Sequence, residues 1–205
     1  DIIEMLMRDV RMAGFTYFLG INASDYPTQT YLEYKGGNVA PEESHDPLII
    51  IKNELGYSRS TPSSITKWDN ANDLCCDKIH IVYDDFDQNT TTNQPYKRYK
   101  VTYFALPISE GTDKRYAVYK TKESWNQPLS SNSGSWISDC GDCYESELIR
   151  DNVVDMEFIP FDQDGRVMLG SNEEGTKLDV IKLYNIMSVV IRLTFRSHKE
   201  FYRTI

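Results

Sequence analysis

The sequence has no run of 18 or more apolar residues, so no stretch of it is long enough to cross a bilayer as a helix. Histidine is scarce: His45, His80 and His198 lie far apart, and none sits in a HExxH motif. GxSxG, GxGxxG and P-loop signatures are missing too, so nothing in the chain announces nucleophilic, dinucleotide or phosphoryl chemistry. Positive charge is in deficit, with 22 Lys and Arg against 31 Asp and Glu and a formal charge of −9. A nucleic-acid binder replaces phosphate counterions with Lys and Arg, and an anionic lipid surface asks for the same residues. Both partners are therefore disfavoured, and another protein is the expected one. There is no signal peptide, internal repeat or initiator Met; opening at Asp1, the chain reads as a trimmed or processed piece of a longer one.

What is present is enough for a packed core. Across 205 residues, 40% are apolar and 12% aromatic, too many for intrinsic disorder. At 100° per residue Ile2, Ile3, Leu6, Met7, Val10 and Ala13 share one face of an amino-terminal helix, and Gly14 supplies a left-handed stop. A helix of about 13 residues is marginal alone in water, so it must be held by packing. Residues 15–45 read as irregular. Beyond them, "PLIIIKN" suits a buried strand, "KIHIVYDDF" alternates, and "YKRYKVTYFALPI" with "KRYAVYKTK" reads as a hairpin. "NVVDMEFIPF" and "IKLYNIMSVVIRLTFRS" supply two more strands, the last long enough to be bent, while residues 124–139 read as a polar loop. The expected class is α+β: a helix, residues 1–14, on a single head domain, residues 15–205, of roughly six to eight mostly antiparallel strands.

Four cysteines form two close pairs, Cys75-Cys76 and Cys140-Gly141-Asp142-Cys143. Disulfides in an oxidising compartment are the first reading, with three connectivities open. A four-thiolate zinc site is the second, although adjacent cysteines rarely both ligate one ion. Free thiols and a redox-active CxxC follow; the latter wants a βα context that this stretch lacks. "YDDFDQN" and "FDQDGR" offer oxygen ligands, and Asp162 and Asp164 resemble a fragment of a calcium loop. With Gly165 at its sixth position, however, the first and twelfth would be Pro160 and Ser171, neither a carboxylate, and turn chemistry explains the Asp and Gly residues without a metal. No cofactor is expected. Asn22 and Asn89 fit the glycosylation pattern. The fourteen tyrosines suit either a partner-binding surface or simply alternating strands.

Three stretches together resemble one family. "MLMRDVRMAGF", "ELIRDNVVDMEFIPFDQDG" and "MSVVIRLTFRSHKEF" are similar, in order, to blocks of PilW-type minor pilins of type IV pili, and cover about a quarter of the chain. The resemblance implies that residues 1–14 are the lower half of a pilin stalk whose apolar upper half is missing. Ile3, Leu6, Val10 and Ala13 would then pack on the protein's own sheet, while Glu4, Arg8, Asp9 and Arg11 face outward towards partners. It implies a non-enzymatic subunit that helps to start pilus assembly with other minor pilins, the major pilin and a tip adhesin. Such a subunit would sit in the bacterial inner membrane facing the periplasm and then in the extracellular pilus, a location that also suits disulfides. A J-class pseudopilin of type II secretion is the neighbouring alternative, and a secreted calcium- or carbohydrate-binding β domain the alternative from another class.

Overall fold

The structure, a computed structural model, describes residues 1–15, 47–51, 75–86, 96–108, 115–126, 135–168 and 186–196. The expectations for residues 16–45, for His45 and His198, and for Asn22 and Asn89 lie outside the described residues. Among those described, the architecture is one short amino-terminal helix on a curled, antiparallel seven-stranded sheet.

Helix α1 spans Ile2–Met12. Asp1 caps it, its side chain accepting from Ile3 N at 3.2 Å, with Glu4 in the first turn and Arg11 in the last, each at the favourable end of the helix dipole. At the other end Gly14 has φ +74°, the left-handed stop that the sequence anticipates. A β-carbon there would also stand 3.0 Å from Pro47 Cβ, so glycine is required twice over. The chain then docks on the sheet: Gly14 N donates to Val82 O at 2.9 Å, and Asp84 N donates to Phe15 O at 2.7 Å.

The strands are β1 (Leu48–Ile51), β2 (Lys78–Phe86), β3 (Tyr96–Pro107), β4 (Tyr116–Asn126), β5 (Ser135–Ile137), β6 (Tyr144–Phe161) and β7 (Ser188–Phe195). Their order is β1-β2-β3-β4-β6-β7, with β5 paired to the far end of β4. The expected hairpin is β3–β4, closed by Ile108 N donating to Arg115 O at 2.9 Å. The polar loop expected over 124–139 is only partly one: Ser124–Asn126 and Ser135–Ile137 pair, and Trp125 meets Trp136 edge-on with centroids 5.2 Å apart. Of the last expected strand, Ser188–Phe195 form β7 and residues 181–185 lie outside the described residues; a bend is seen in β6. Ser146 and Asn152 there take left-handed backbone angles (φ 52° and 54°), and register shifts interrupt its pairing with both neighbours. The first half of β6 pairs with β4 and the second with β7.

Register places Ile79, Ile81 and Tyr83 of β2 beside Tyr103, Val101 and Tyr99 of β3 on one face. With Ile2, Leu6, Leu48, Val118, Val153, Met156 and Phe158 they form the core. Leu6 is fully buried, which stabilises by about 1.5–3 kcal/mol. Alternation in β2 suggests one wet face, yet His80, Val82 and Asp84 on the opposite side are buried as well. Several polar groups on that second face are matched across strands, though the buried Thr121 hydroxyl is without a hydrogen-bond partner among the described residues. Arg98 reaches Asp84 at 2.8 and 3.2 Å, Lys100 Nζ lies 2.8 Å from Glu123 and 4.9 Å over the Trp136 ring, and His80 Nδ1 is 2.8 Å from Thr102 Oγ1.

Candidate functional site

Where the helix meets the sheet, the expected helix face is rotated. Ile2, Leu6 and Asp9 are buried; Val10 and Ala13 pack on the core from half-buried positions, and Ile3 is 38% exposed. Asp9, expected to face outward, is only 3% exposed. The spacing 2, 6, 9 follows the i, i+4, i+7 stripe, so Asp9 completes the sheet-facing row in place of an apolar residue. It can do so because the sheet presents cations and phenols there. Glu4, Arg8 and Arg11 are exposed, as anticipated.

Alternation in β3 and β4 puts Tyr99 and Tyr103 on the helix side, with Tyr103 directly across from Lys120 and Val101 across from Lys122. Tyr103 donates its hydroxyl to Asp9 Oδ2 at 2.6 Å, and Lys120 Nζ approaches the same oxygen at 2.7 Å. Arg8 donates from Nε and from one terminal nitrogen to Asp9 Oδ1, both at 3.1 Å. Both carboxylate oxygens are thereby occupied, which is the condition for burying a charge without a large desolvation penalty. The Lys120 ammonium also lies 5.3 Å from the Tyr103 ring centre and 5.9 Å from that of Tyr144.

A second carboxylate extends the cluster. Asp142, in the turn between the CxxC cysteines, accepts from the Tyr99 hydroxyl at 3.3 Å and pairs with Lys122. Lys122 sits 4.1 Å over the Tyr99 ring, and Tyr99 lies 6.1 Å from Tyr83 by ring centres. Burial pushes the phenols of Tyr83, Tyr103 and Tyr144 well above the ordinary value of 10.0. For Tyr103 the hydrogen bond to Asp9 raises it further, and for Tyr144 the Glu147 carboxylate does. The Arg8 guanidinium is raised by its hydrogen bond to Asp9. Chemically this is an anchor: carboxylates meet cations and phenols, and the phenols of Tyr83, Tyr103 and Tyr144 are held protonated.

The cysteines lie as two pairs at disulfide distance, Cys75 with Cys76 and Cys140 with Cys143. The four-thiolate zinc site is not assembled: each sulfur pair gathers with one carboxylate, Asp155 for the first and Asp142 for the second. Asp162 and Asp164 sit in a tight turn. There Asp162 Oδ1 accepts backbone hydrogens from Asp164 at 2.9 Å and Arg166 at 2.8 Å, and Arg166 approaches Asp164 at 4.0 Å. Sequence reasoning missed Tyr103, Lys120, Tyr99, Lys122, Asp142 and Tyr144. For Tyr99, Tyr103, Lys120 and Lys122 the only signal was the recurrence of Tyr and Lys in "YKRYKVTYF" and "YAVYKTK", which says which of them share a face and not what opposes it; Asp142 and Tyr144, in "CGDCY", carried none.

No family model, no curated protein and no solved structure matches the chain. Among the described residues no helix is long and apolar enough to cross a membrane.

Proposed function

We propose that the chain is a structural subunit of a type IV pilus, a minor pilin in which α1 is the lower part of the stalk and the sheet is the head. The observation that carries this reading is the two-sided character of α1. One side is fastened to the sheet by Leu6 and the Asp9 cluster, and the other leaves Ile3 and Met7 38% and 41% exposed among Glu4, Arg8 and Arg11. A helix presenting apolar and charged residues together suits packing against neighbouring subunits, with the charges fixing orientation. The three sequence blocks that resemble PilW-type minor pilins supply the family.

On this reading the chain works by association: helices bundle, heads abut, and the sheet holds the helix at a fixed angle. Its partners are other minor pilins, the major pilin and a tip adhesin. Assembly would begin in the bacterial inner membrane and end in the extracellular fibre. The test is the full-length gene, which should encode a short basic leader, a Gly/Phe junction and about 20 apolar residues directly before Asp1. A conventional signal peptide with small-residue cleavage at that place would overturn the proposal.

A further inference from the structure

We infer that the Cys140–Cys143 pair is a site of thiol–disulfide exchange for dithiol reductants, and that opening it loosens the hold of the sheet on α1. The inference does not depend on the pilus reading, because every observation behind it lies inside the head and its contact with the helix.

Access separates the two cysteine pairs. Cys75 and Cys76 are 4% and 0% exposed and belong to the hydrophobic core. Cys140 and Cys143 are half-buried and bracket the exposed Gly141 and Asp142. Exchange requires a thiolate to approach a disulfide sulfur along the S–S axis, so the open pair reacts and the buried one does not. The turn that carries the pair is closed by Cys143 N donating to Cys140 O at 2.9 Å, and its outer side is open at Gly141, where nothing lies within 4 Å of the place a β-carbon would take.

The turn is also tied to the helix anchor. Asp142, enclosed by the cysteines, holds Lys122 and the Tyr99 hydroxyl. Tyr144, the residue after Cys143, lies beside Lys120, and Lys120 is the ion-pair partner of Asp9 on α1. Closing the pair therefore fixes, over five consecutive residues, a carboxylate and an aromatic ring that hold the two lysines of the anchor. Opening it frees those residues to take other conformations, and the restraint on Lys120 and Lys122 relaxes.

The step balances with a dithiol as reductant. One of its thiolates attacks Cys140 or Cys143, the S–S bond breaks, and the released protein sulfur leaves as a thiolate that takes up a proton. The second thiol of the reductant, as its thiolate, then attacks the reductant's own sulfur in the mixed disulfide. That S–S bond breaks, and the other cysteine leaves as a thiolate that takes up the second proton. Two electrons and two protons have passed to the cysteines, and the dithiol has become a disulfide.

Dithiothreitol on the native full chain, followed by iodoacetamide and peptide mass mapping, tests the first half. Both labels should fall on Cys140 and Cys143, with Cys75 and Cys76 unlabelled until denaturant is added. Hydrogen–deuterium exchange tests the second half: the amides of Arg8–Met12 should exchange several-fold faster after reduction. A Cys140→Ser/Cys143→Ser variant should exchange at that faster rate from the start and be unmoved by dithiothreitol. An Asp142→Asn variant should label at the same cysteines yet already show accelerated α1 exchange. Labelling of Cys75 and Cys76 in the native state, or α1 exchange unchanged by reduction of the wild-type chain, would overturn the inference.

Discussion

Tyr103 and Asp9 are 94 residues apart in sequence and joined by a 2.6 Å hydrogen bond in the core, with Lys120 2.7 Å from the same carboxylate oxygen. Removing the carboxylate leaves a 5%-exposed ammonium without its counter-ion. Asp9→Ala should therefore cost about 3–5 kcal/mol, more than a surface charge could. Tyr103→Phe, which leaves Lys120 and Arg8 on Asp9, should cost only about 1–3 kcal/mol. Urea unfolding of the two variants measures the difference. Equal, sub-kilocalorie losses would mean that Asp9 is solvated and the anchor absent.

The same cluster sets an alkaline limit. Tyr83, Tyr103 and Tyr144 are raised above 10.0 in the folded state, so between that value and their folded values the unfolded chain releases protons that the folded chain keeps. Stability contributed by these groups is complete below pH 10 and declines as pH rises beyond it. Thermal unfolding from pH 8 to 11.5 should show Tm falling steeply above 10, and Tyr103→Phe should fall less steeply from its lower start.

How much of this was legible beforehand depends on what each residue faces. The span of β2 is the alternating stretch "KIHIVYDDF", and β3 with β4 is the hairpin expected of two β-branched and aromatic runs, because those signals are local. Strand β5 carries no such signal: "SWNQPLSSNSGSWISD" is polar, and the partnership of Trp125 with Trp136 exists only once the strands meet. The first half of β6, Tyr144–Arg150, is mostly exposed and lacks an apolar rhythm, so only its backbone pairing to β4 makes it a strand. Asp9 is the clearest case. A charge on a helix reads as the solvent side until Tyr103 and Lys120, supplied by distant strands, give it a dry partner.

His80 gives a second, opposite pH signature. Burial and the nearby Lys100 and Lys78 lower it from 6.5 to about 3, and Thr102 Oγ1 lies 2.8 Å from its Nδ1. Below pH 6.5 the unfolded chain takes up a proton there that the folded chain refuses, so stability falls as pH falls through that window. The slope from this one group approaches about 1.4 kcal/mol per pH unit. His80→Gln removes the titration, and its unfolding free energy between pH 6 and 4 should be flatter than that of the wild type by that amount. Parallel curves would show that His80 is charged or solvated in the fold.

The turn at Asp162 yields the last prediction. One of its carboxylate oxygens already accepts from the backbone of Asp164 and Arg166, and Asp162 N donates to Arg166 O at 3.0 Å. A carboxylate that closes a turn in this way is doing the work of a backbone acceptor, and Asp164 lies beside Arg166, whose charge disfavours a second cation. Asp162→Ala should thus destabilise by about 0.5–1.5 kcal/mol. Millimolar calcium, or EDTA, should leave Tm unchanged in both the wild type and the variant. A rise in wild-type Tm with calcium that Asp162→Ala abolishes would mean ligand binding to the folded state, and the turn would be a metal loop.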